Sequence, residues 1–579
     1  MTTNLQELET TNVARSTLQR RMRLSRAIML LTIFSLIVGM VQAQAFTDPS
    51  DIQVPVSSET QTVTVPAIRG QILDRNGNTL AMTVDSRNVI ADQTLVKDPK
   101  SQGLLIANIT GQDPALVIER LSGVRRYSVI ARSVTPSQWE KIEQLQLPGI
   151  FSERSLSRSY PEGELAANIL GFVNSEGLGL GGLEYSMEKV LGGINGERTF
   201  STVPGLSTAD QSLTAAVNGQ HIKLTIDRDI QWFAQETIAA QVRATRAKSG
   251  VVIVMNPKTG EILAMATAPT FDPNNIIGVE SSLLGNRAVS DAFEPGSTGK
   301  VITLAAALEE EKVSLSSKFK IPSGLRRGDK RFTDAHAHGG LKLTLTGIMA
   351  HSSNIGSILV SETLSDGVFY NYLKKFGIGS KTSIQLPAES AGSLPEVSKW
   401  SLTTKPTLSF GQGYSLNALQ ATSIFATIAN NGVRVQPTII QGIQDGNSRF
   451  DPMPSTNTER VISSQTAESV RHMMEYVVSN KGTAPQAKIP GYRISGKTGT
   501  AQAFDPKCGC YRGYIASFIG IAPSDNPELV VGVFLDRPQS GIYGGSLAGP
   551  VFKKVTSFAL QQLRIPPTGL KKPKLRLKW

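Results

Sequence analysis

An uncharged hydrophobic run extends from Ala27 to Phe46. A helix of roughly 20 apolar residues crosses the hydrocarbon core of a bilayer, so this run predicts a transmembrane helix over residues 27–46. An arginine-rich flank before such a helix favours a cytoplasmic N-terminus. The arginines of this flank are Arg15, Arg20, Arg21, Arg23 and Arg26. A cleaved secretory signal is the alternative, because Ala43-Gln44-Ala45 resembles a cleavage site. Both interpretations export the rest of the chain.

Alternating apolar positions predict strands in the first half of the exported part. Val63 and Val65 alternate with threonines, and Asn76-Gly77 separates two apolar runs as a hairpin turn does. A second alternating stretch, "HIKLTI", begins at His221 and leads into a helical pattern. The polar stretch "TADQSLTAAVNGQ" before it indicates a domain boundary near residue 215.

Later apolar runs predict one sheet built from distant parts of the chain. "SGVVIVM" and "ILAMATA" flank the turn Asn256–Gly260, which predicts a hairpin. "SFIGIAP" and "ELVVGVFLD" predict strands near the C-terminus, and "GPVFKKVTSFALQQL" predicts a closing helix. Strands at both ends with helices between them indicate an α+β domain whose sheet joins the chain ends.

The 579 residues are too many for one ordinary domain. The patterns predict a cytoplasmic tail over residues 1–26, the helix 27–46, a linker over 47–60 and two folded domains over 61–215 and 216–563. Residues 564–579 form a basic tail that is either disordered or bound to the surface. The composition, with 40% hydrophobic and 18% charged residues, is typical of folded domains.

The net charge of +12 comes largely from the two ends of the chain. The body shows no long basic tract interleaved with aromatic residues, which argues against nucleic acid as a partner. A membrane surface or an anionic wall polymer is the expected neighbour.

The stretch "DAFEPGSTGK" places Ser297 and Lys300 one helical turn apart. Pro295-Gly296 favours a turn, and the apolar period that follows predicts a helix beginning near Ser297. Residues three apart share a helix face, so Lys300 can face the Ser297 hydroxyl and act as its base if burial lowers its pKa. The alternative is a serine N-cap followed by a surface lysine.

Two further motifs strengthen the catalytic interpretation. "HSSN" contains Ser352 and Asn354, and "GKTGT" contains Lys497, Thr498, Gly499 and Thr500. S-x-x-K, S-D-N and K-T-G together mark penicillin-binding proteins and class A β-lactamases. All three occur here in that order, with Ser353 where the pattern has aspartate. Taken singly, the two later motifs could be a polar helix start and a strand followed by a glycine turn.

The cysteines and histidines give weaker signals. Cys508 and Cys510 could form a disulfide or remain as two reduced thiols. A single intervening residue would strain the disulfide, because disulfide geometry prefers wider Cα separations. His336 and His338 alternate, so a metal site competes with a solvated loop, and no other ligand cluster supports the metal. His351 lacks the aspartate partner of a Ser-His-Asp triad.

The motif order resembles the class B penicillin-binding proteins, most closely the FtsI-type transpeptidases of the division septum. "RGQILDRNG", "GLGGLEYSME", "NPKTGEILAM", "FEPGSTGK", "HSSNIG", "GKTGTAQ" and "IYGGSLAGPVFKKV" follow in the order of that family. The sequence after "GINGERTF" departs from it and reads "STVPGLSTADQ". The resemblance implies a dimerisation, or pedestal, domain over residues 61–215. It also implies a transpeptidase domain over 216–563, with an antiparallel sheet flanked by helices.

The resemblance also implies a serine-type D-Ala-D-Ala transpeptidase without cofactor or metal. Ser297 would attack the penultimate D-Ala carbonyl of a peptidoglycan stem peptide, with Lys300 as its base. Ser352, helped by Lys497, would relay a proton to the leaving amine. Asn354 would bind the substrate amide, and Thr498 and Thr500 would hold the terminal carboxylate. The N–H groups of Ser297 and Thr500 would form the oxyanion hole, and Gly499 would keep its strand open to substrate.

The implied partners are stem peptides, β-lactam antibiotics, the cell membrane, a polytopic glycosyltransferase and other division proteins. The implied location is the cell membrane, with a single span, a cytoplasmic N-terminus and an extracytoplasmic catalytic domain. A D,D-carboxypeptidase or β-lactam sensor on the same fold is one alternative, and a non-catalytic division scaffold is another. The pedestal argues against the first, and the intact motifs argue against the second.

Overall fold

The computed structural model describes residues 6–45, 60–201, 212–444, 449–452, 457–505 and 508–579. Residues 47–59 of the predicted linker 47–60 and residues 202–211 of the divergent stretch 201–211 lie outside the described residues. The elements up to residue 224 are α1 (Gln6–Ala45), β1 (Thr60–Val65), β2 (Ile72–Leu73), β3 (Thr79–Ala91), α2 (Pro99–Thr110), α3 (Pro114–Leu121), β4 (Ser128–Val134), α4 (Pro136–Gln144), β5 (Ile150–Ser159), α5 (Ala167–Leu170), α6 (Gly182–Ser186), α7 (Glu188–Leu191), β6 (Gly196–Ser201), β7 (Ser212–Thr214) and β8 (Ile222–Leu224).

The elements after residue 224 include three short 3₁₀ turns, Gly296–Gly299, Val397–Lys399 and Pro485–Ala487. The helices and strands are α8 (Arg228–Thr245), β9 (Ser249–Met255), β10 (Ile262–Ala268), α9 (Ser281–Leu284), α10 (Arg287–Ser290), α11 (Lys300–Glu309), β11 (Lys318–Ile321), β12 (Leu325–Arg327), β13 (Lys330–Phe332), β14 (Leu341–Thr344), α12 (Leu345–His351), α13 (Asn354–Ser361), α14 (Asp366–Lys375), α15 (Thr404–Leu408), α16 (Ala418–Ala429), β15 (Val433–Val435), β16 (Ile440–Gln444), β17 (Phe450–Pro452), β18 (Thr458–Arg460), α17 (Ser464–Met474), β19 (Ser495–Asp505), β20 (Cys510–Ala522), β21 (Leu529–Asp536), α18 (Gly544–Leu547) and α19 (Gly549–Gln562).

The chain divides into two compact units. The first comprises residues 1–65 and 196–215 and contains α1 and the antiparallel sheet β1-β6-β7. Within α1, residues Arg20–Gln42 form a candidate membrane span by length and mean composition, and the large hydrophobic side chains of this stretch are exposed. This finding agrees with the predicted single membrane helix.

The second unit comprises residues 66–195 and 216–579 and holds two large sheets. One has the strand order β17-β16-β8-β2-β3-β4, with β5 paired to β3. The predicted Asn76-Gly77 hairpin is confirmed, since β2 and β3 pair antiparallel and Gly77 has a φ of 91°. Strand β8 pairs with β2 and β16, so the first strand after residue 215 joins the pedestal sheet.

The other large sheet has the order β10-β9-β21-β20-β19, and all its neighbouring strands are antiparallel. Its two faces are covered by helices. A Cβ at Gly532 would contact Thr422 of α16, whereas a Cβ at Gly520, which points to the opposite face, would contact Phe552 of α19. The predicted α+β class, with an antiparallel sheet flanked by helices and built from both chain ends, is confirmed.

The basic tail is packed on the protein surface. The backbone N–H of Thr344 donates to the Leu577 carbonyl at 3.0 Å, and the Trp579 ring lies 5.2 Å from Lys318 Nζ and 5.4 Å from Lys342 Nζ. Of the two predicted states of residues 564–579, the surface-bound state is the one observed.

Candidate active site

The serine and lysine of the first motif lie where the helical period placed them. Ser297 is in the 3₁₀ turn Gly296–Gly299, which runs directly into α11, and Lys300 is the first residue of that helix. The φ of 57° at Gly296 makes this entry turn favourable for glycine. The Lys300 side chain is fully buried, so the alternative of a surface lysine is excluded.

The Lys300 amine lies at the centre of a polar cluster. Its Nζ is 2.9 Å from Ser297 Oγ, 2.6 Å from the Ser352 carbonyl oxygen and 2.7 Å from Asn354 Oδ1. A neutral amine has two N–H groups and one lone pair. If the carbonyl and the amide oxygen accept the two N–H groups, the lone pair faces the Ser297 hydroxyl. This arrangement suits a base that removes the hydroxyl proton.

Burial is the larger influence on this lysine and lowers its pKa to about 7, although the negative charge of Asp334 acts in the opposite direction. Lys497 is also fully buried. Its pKa lies well below the usual value, first because of burial and second because of the neighbouring Lys300 charge. Both amines therefore lose their proton more readily than an exposed lysine does, as perturbed groups at functional sites often do.

Ser352 links the two amines. Its Oγ is 2.8 Å from Lys497 Nζ and 3.2 Å from Lys300 Nζ. The residue ends α12 with a φ of 58°, a left-handed conformation that a residue other than glycine adopts at a cost, often at functional sites. The oxygens and nitrogens therefore form one continuous path from Ser297 through Lys300 and Ser352 to Lys497.

The KTGT residues lie on β19, which is an edge strand of its sheet. Thr498 and Thr500 both line the cleft above Ser297, as residues two apart on one strand face do. The unpaired edge of such a strand offers backbone groups to an extended peptide. The cleft has a volume of about 760 Å³, within the usual range for ligand sites.

The structure indicates why position 499 is a glycine, and the cause differs from the predicted one, which was room for substrate. A Cβ at this position would lie 2.2 Å from Ser517 Oγ and 3.1 Å from the Pro295 carbonyl oxygen. A side chain at position 499 would therefore collide with other parts of the protein and not with a substrate in the cleft. Gly499 therefore allows β19 to pack closely on the turn that carries Ser297. Because of this close packing, the backbone N–H groups of Ser297 and Thr500, which were predicted to form the oxyanion hole, lie on adjacent elements.

Sequence reasoning missed Asp334. Its Oδ2 accepts hydrogen bonds from Ser353 Oγ at 2.8 Å and from His338 Nε2 at 3.1 Å, and its Oδ1 accepts from the Ile355 N–H at 2.9 Å. Asp334 thus holds the turn between α12 and α13 that carries Ser352 and Asn354. Its loop lies 18 positions from Ser352 and has no periodicity, so the sequence carried no signal for this contact.

The histidine segment is a loop with His336 exposed, which confirms in part the interpretation as a solvated loop. Residues 333–340 lie outside the strands, so His336 and His338 do not share a strand face. The side chain of His338 is only 13% exposed and pairs with Asp334, which excludes a fully solvated loop. In the part of the chain that the structure describes, no cluster of three His, Cys, Asp or Glu residues could hold a metal ion.

Asn354 and the cysteine pair complete the predicted positions. One N–H of the Asn354 amide donates to the Thr333 carbonyl at 3.0 Å, which leaves the other for substrate.

Cys508 and Cys510 form a disulfide at the tip of the β19–β20 hairpin, so of the two predicted states the oxidised one is observed. Their Cα atoms are 5.2 Å apart, within the usual range of about 4.4–6.8 Å, because the chain turns at Gly509.

A half-buried serine beside a buried lysine, joined to a second Ser–Lys pair at an edge strand, defines a serine acyl-transfer enzyme. Comparison with known families agrees with this class. Residues 250–557 match the penicillin-binding protein transpeptidase domain, and residues 64–224 match the penicillin-binding protein dimerisation domain. The chain belongs to the class B penicillin-binding proteins and is a peptidoglycan D,D-transpeptidase of the serine type.

Individual relatives resemble the chain over most of its length. It is 36% identical to the penicillin-binding protein PbpB of Mycolicibacterium smegmatis, covering 86% of this chain and 84% of the relative. It is 32% identical to the peptidoglycan D,D-transpeptidase FtsI of Escherichia coli, covering 87% and 85%. The crystal structure of penicillin-binding protein 3 from Mycobacterium tuberculosis with aztreonam superposes with a TM-score of 0.72 at 34% identity, covering 89% of this chain and 100% of that one.

Proposed function

We propose that this chain cross-links peptidoglycan stem peptides at the division septum through an acyl-enzyme on Ser297. The observation that carries the proposal is the buried Lys300 amine, 2.9 Å from Ser297 Oγ and fixed by two further oxygens. The septal role is supported by the resemblance to FtsI-type enzymes. The domain limits of 61–215 and 216–563 are part of the proposal, and the family matches at 64–224 and 250–557 support them.

In the acylation step, Ser297 Oγ attacks the carbonyl carbon of the penultimate D-Ala while its proton passes to Lys300 Nζ. The developing oxyanion is stabilised by the backbone N–H groups of Ser297 and Thr500. When the peptide C–N bond breaks, the proton reaches the leaving nitrogen through Ser352, and the terminal D-Ala departs as an amine. Lys497 supports this transfer, because its Nζ lies 2.8 Å from Ser352 Oγ.

In the transfer step, the amine of an acceptor stem peptide attacks the ester carbonyl. The new C–N bond forms, the C–O bond to Ser297 breaks, and the amine proton returns along the same path to Ser297 Oγ. Thr498 and Thr500 hold the donor carboxylate before it leaves, and Asn354 holds the donor backbone. The two threonine hydroxyls on one strand face support this role, since hydroxyls beside a lysine suit a carboxylate.

β-Lactams are expected to acylate Ser297 quickly and to leave it slowly. Hydrolysis of the adduct needs a base aimed at the ester, which class A β-lactamases supply with a glutamate. The candidate Glu389 is buried and accepts from the Thr382 N–H at 2.7 Å and from Thr382 Oγ1 at 2.6 Å, and it does not line the cleft. Asp334 lines the cleft, but both its oxygens already accept hydrogen bonds.

The loss of a bound fluorescent penicillin after removal of free drug measures this release. We expect the adduct to persist through a long incubation, with the same half-life in the matched variant Glu389→Gln. Rapid turnover in the wild type that slows in Glu389→Gln would identify a hydrolase instead.

A second experiment separates transpeptidase from carboxypeptidase activity. Incubation with a stem pentapeptide and an amine acceptor should give mainly cross-linked product, whereas free tetrapeptide alone would indicate a carboxypeptidase.

We infer that α1 remains attached as an anchor with its N-terminus in the cytoplasm. The length of the candidate span Arg20–Gln42 and the arginines at its N-terminal end support this orientation. N-terminal sequencing of protein extracted from membranes should therefore read from the first residues. A mature start at Phe46 would contradict the anchor.

The resemblance also supports a separate polytopic glycosyltransferase and other division proteins as partners. Co-extraction of a glycosyltransferase with the full chain would test this. The co-extraction should be lost when α1 is exchanged for an unrelated membrane helix.

A further inference from the structure

A second cavity, which no proposed step uses, lies beside the catalytic cleft. Its volume is about 1080 Å³. Three segments form its walls: the turn after α17, the loop before β19 and the C-terminal tail. His351 and Lys481 line both this cavity and the cleft, so the two spaces adjoin there. His351 Nε2 is buried and has no hydrogen-bond partner among the described residues.

The cavity is strongly basic. Its unpaired cations are Lys481, Lys488, Lys572 and Lys578, for which the described residues provide no carboxylate within ion-pair distance. The single carboxylate in its lining, Glu475, is nearly buried and bonds to Arg493 at 2.6 Å and to Ser524 at 3.2 Å. The positive charge of the lysines is therefore not neutralised from within the protein. Such a cavity favours an anionic ligand.

The wall formed by the tail is fixed by specific contacts. The Tyr476 hydroxyl donates to the Pro573 carbonyl at 2.7 Å and accepts from the Leu575 N–H at 2.7 Å. Lys572 Nζ lies 4.4 Å from the centre of the Tyr476 ring. The tail thus holds its lysines at defined positions.

The cavity adjoins the Thr498 side of the cleft, where the proposed mechanism places the leaving amine. Thr498 holds the terminal D-Ala in the proposed mechanism, and its Oγ1 is 2.9 Å from Thr483 Oγ1, two residues after Lys481. Transfer is the reverse of acylation with a different amine, so the acceptor nitrogen enters where the leaving nitrogen departed. A peptide whose amine occupies that position can extend past Thr483 into the basic cavity, because the cavity adjoins the cleft at His351 and Lys481.

We propose that this basic cavity binds the carboxylates of the acceptor stem peptide and thereby orients its amine toward the acyl-enzyme. The proposal rests on the transpeptidase function proposed above. Free carboxylates on a peptide complement the lysine ammonium groups, and the Tyr476 and Tyr492 rings supply apolar surface for the peptide between them. Donor acylation does not use the cavity, so changes to the cavity lysines should affect transfer and leave acylation unaltered.

The test compares two variants of the full chain in which the charge change is the same. Lys488→Glu/Lys578→Glu reverses two charges inside the cavity, and Lys571→Glu/Lys574→Glu reverses two exposed charges of the tail that do not line it. The acceptor is a synthetic stem tetrapeptide with free carboxylates, compared with the same peptide after amidation. We expect the cavity variant to raise KM for the free acid about tenfold, the size expected for two partly exposed charge contacts. Its KM for the amidated peptide and its penicillin acylation rate should stay at the level of the control variant.

Equal KM changes for the free and amidated peptides, or no change in either, would overturn the proposal. Normal penicillin acylation by the same variant would leave the proposed function intact. Binding to phosphatidylglycerol vesicles that is lost in the cavity variant, with unchanged acceptor KM, would also overturn it and assign the cavity to a membrane surface. The charge-preserving variant Lys488→Arg/Lys578→Arg should retain the wild-type KM. Failure of the wild type to form any penicillin adduct would instead contradict the proposed function.

Discussion

Ser297→Ala eliminates covalent labelling by a fluorescent penicillin, because alanine has no oxygen to form the acyl bond. Labelling is measured on denaturing gels, which retain only covalent adducts. The matched control is Ser290→Ala on the short helix α10, whose hydroxyl lies outside the cleft lining and, among the described residues, bonds to Asp291. The control should label at the wild-type rate. Labelling that survives in Ser297→Ala would place the nucleophile elsewhere.

Lys300→Ala lowers the second-order rate of penicillin acylation by about a thousandfold, within the range that general-base catalysis contributes. Without the amine, Ser297 Oγ loses the group that accepts its proton. Lys300→Arg is the matched variant. Because a guanidinium stays protonated, it cannot act as a base and should not restore the rate. Stopped-flow acylation kinetics measure both variants, and unaltered thermal melting shows that the fold is retained. A loss of only a few-fold in Lys300→Ala would assign the base role to another group.

The same lysine sets the expected pH profile. Its pKa is about 7, lowered by burial, and it acts as a base only when neutral. The acylation rate should therefore rise as the pH increases through about 7 and level off above it. A rate that stays constant across this range would show that the proton leaves Ser297 by another path.

Local patterns in the sequence were enough to predict the framework of this site. Pro295-Gly296 and the apolar period after Lys300 placed the serine at the helix entrance, and the buried runs of β9 and β21 predicted strands of one sheet. These features depend on neighbouring residues or on periodicity, which a single sequence displays directly. The order of the three motifs indicated that their side chains meet.

The contacts that position the site could not be predicted in this way. Asp334 reaches Ser353 and Ile355 through a loop without regular structure, and Lys572 of the tail reaches Tyr476 across about a hundred residues. Such pairings depend on how separate elements pack, which neither spacing nor composition specifies. Gly499 illustrates the same limit: its type was recognised from the motif, but its neighbours Ser517 and Pro295 were visible only in the folded chain.

The most direct test of the central claim is mass spectrometry of the proteolysed protein after brief exposure to penicillin. The account predicts that the mass of the drug is added to the peptide containing "EPGSTGK", and that fragmentation assigns it to Ser297 rather than to Thr298. An adduct on Ser352 or on any residue outside this peptide would contradict the account.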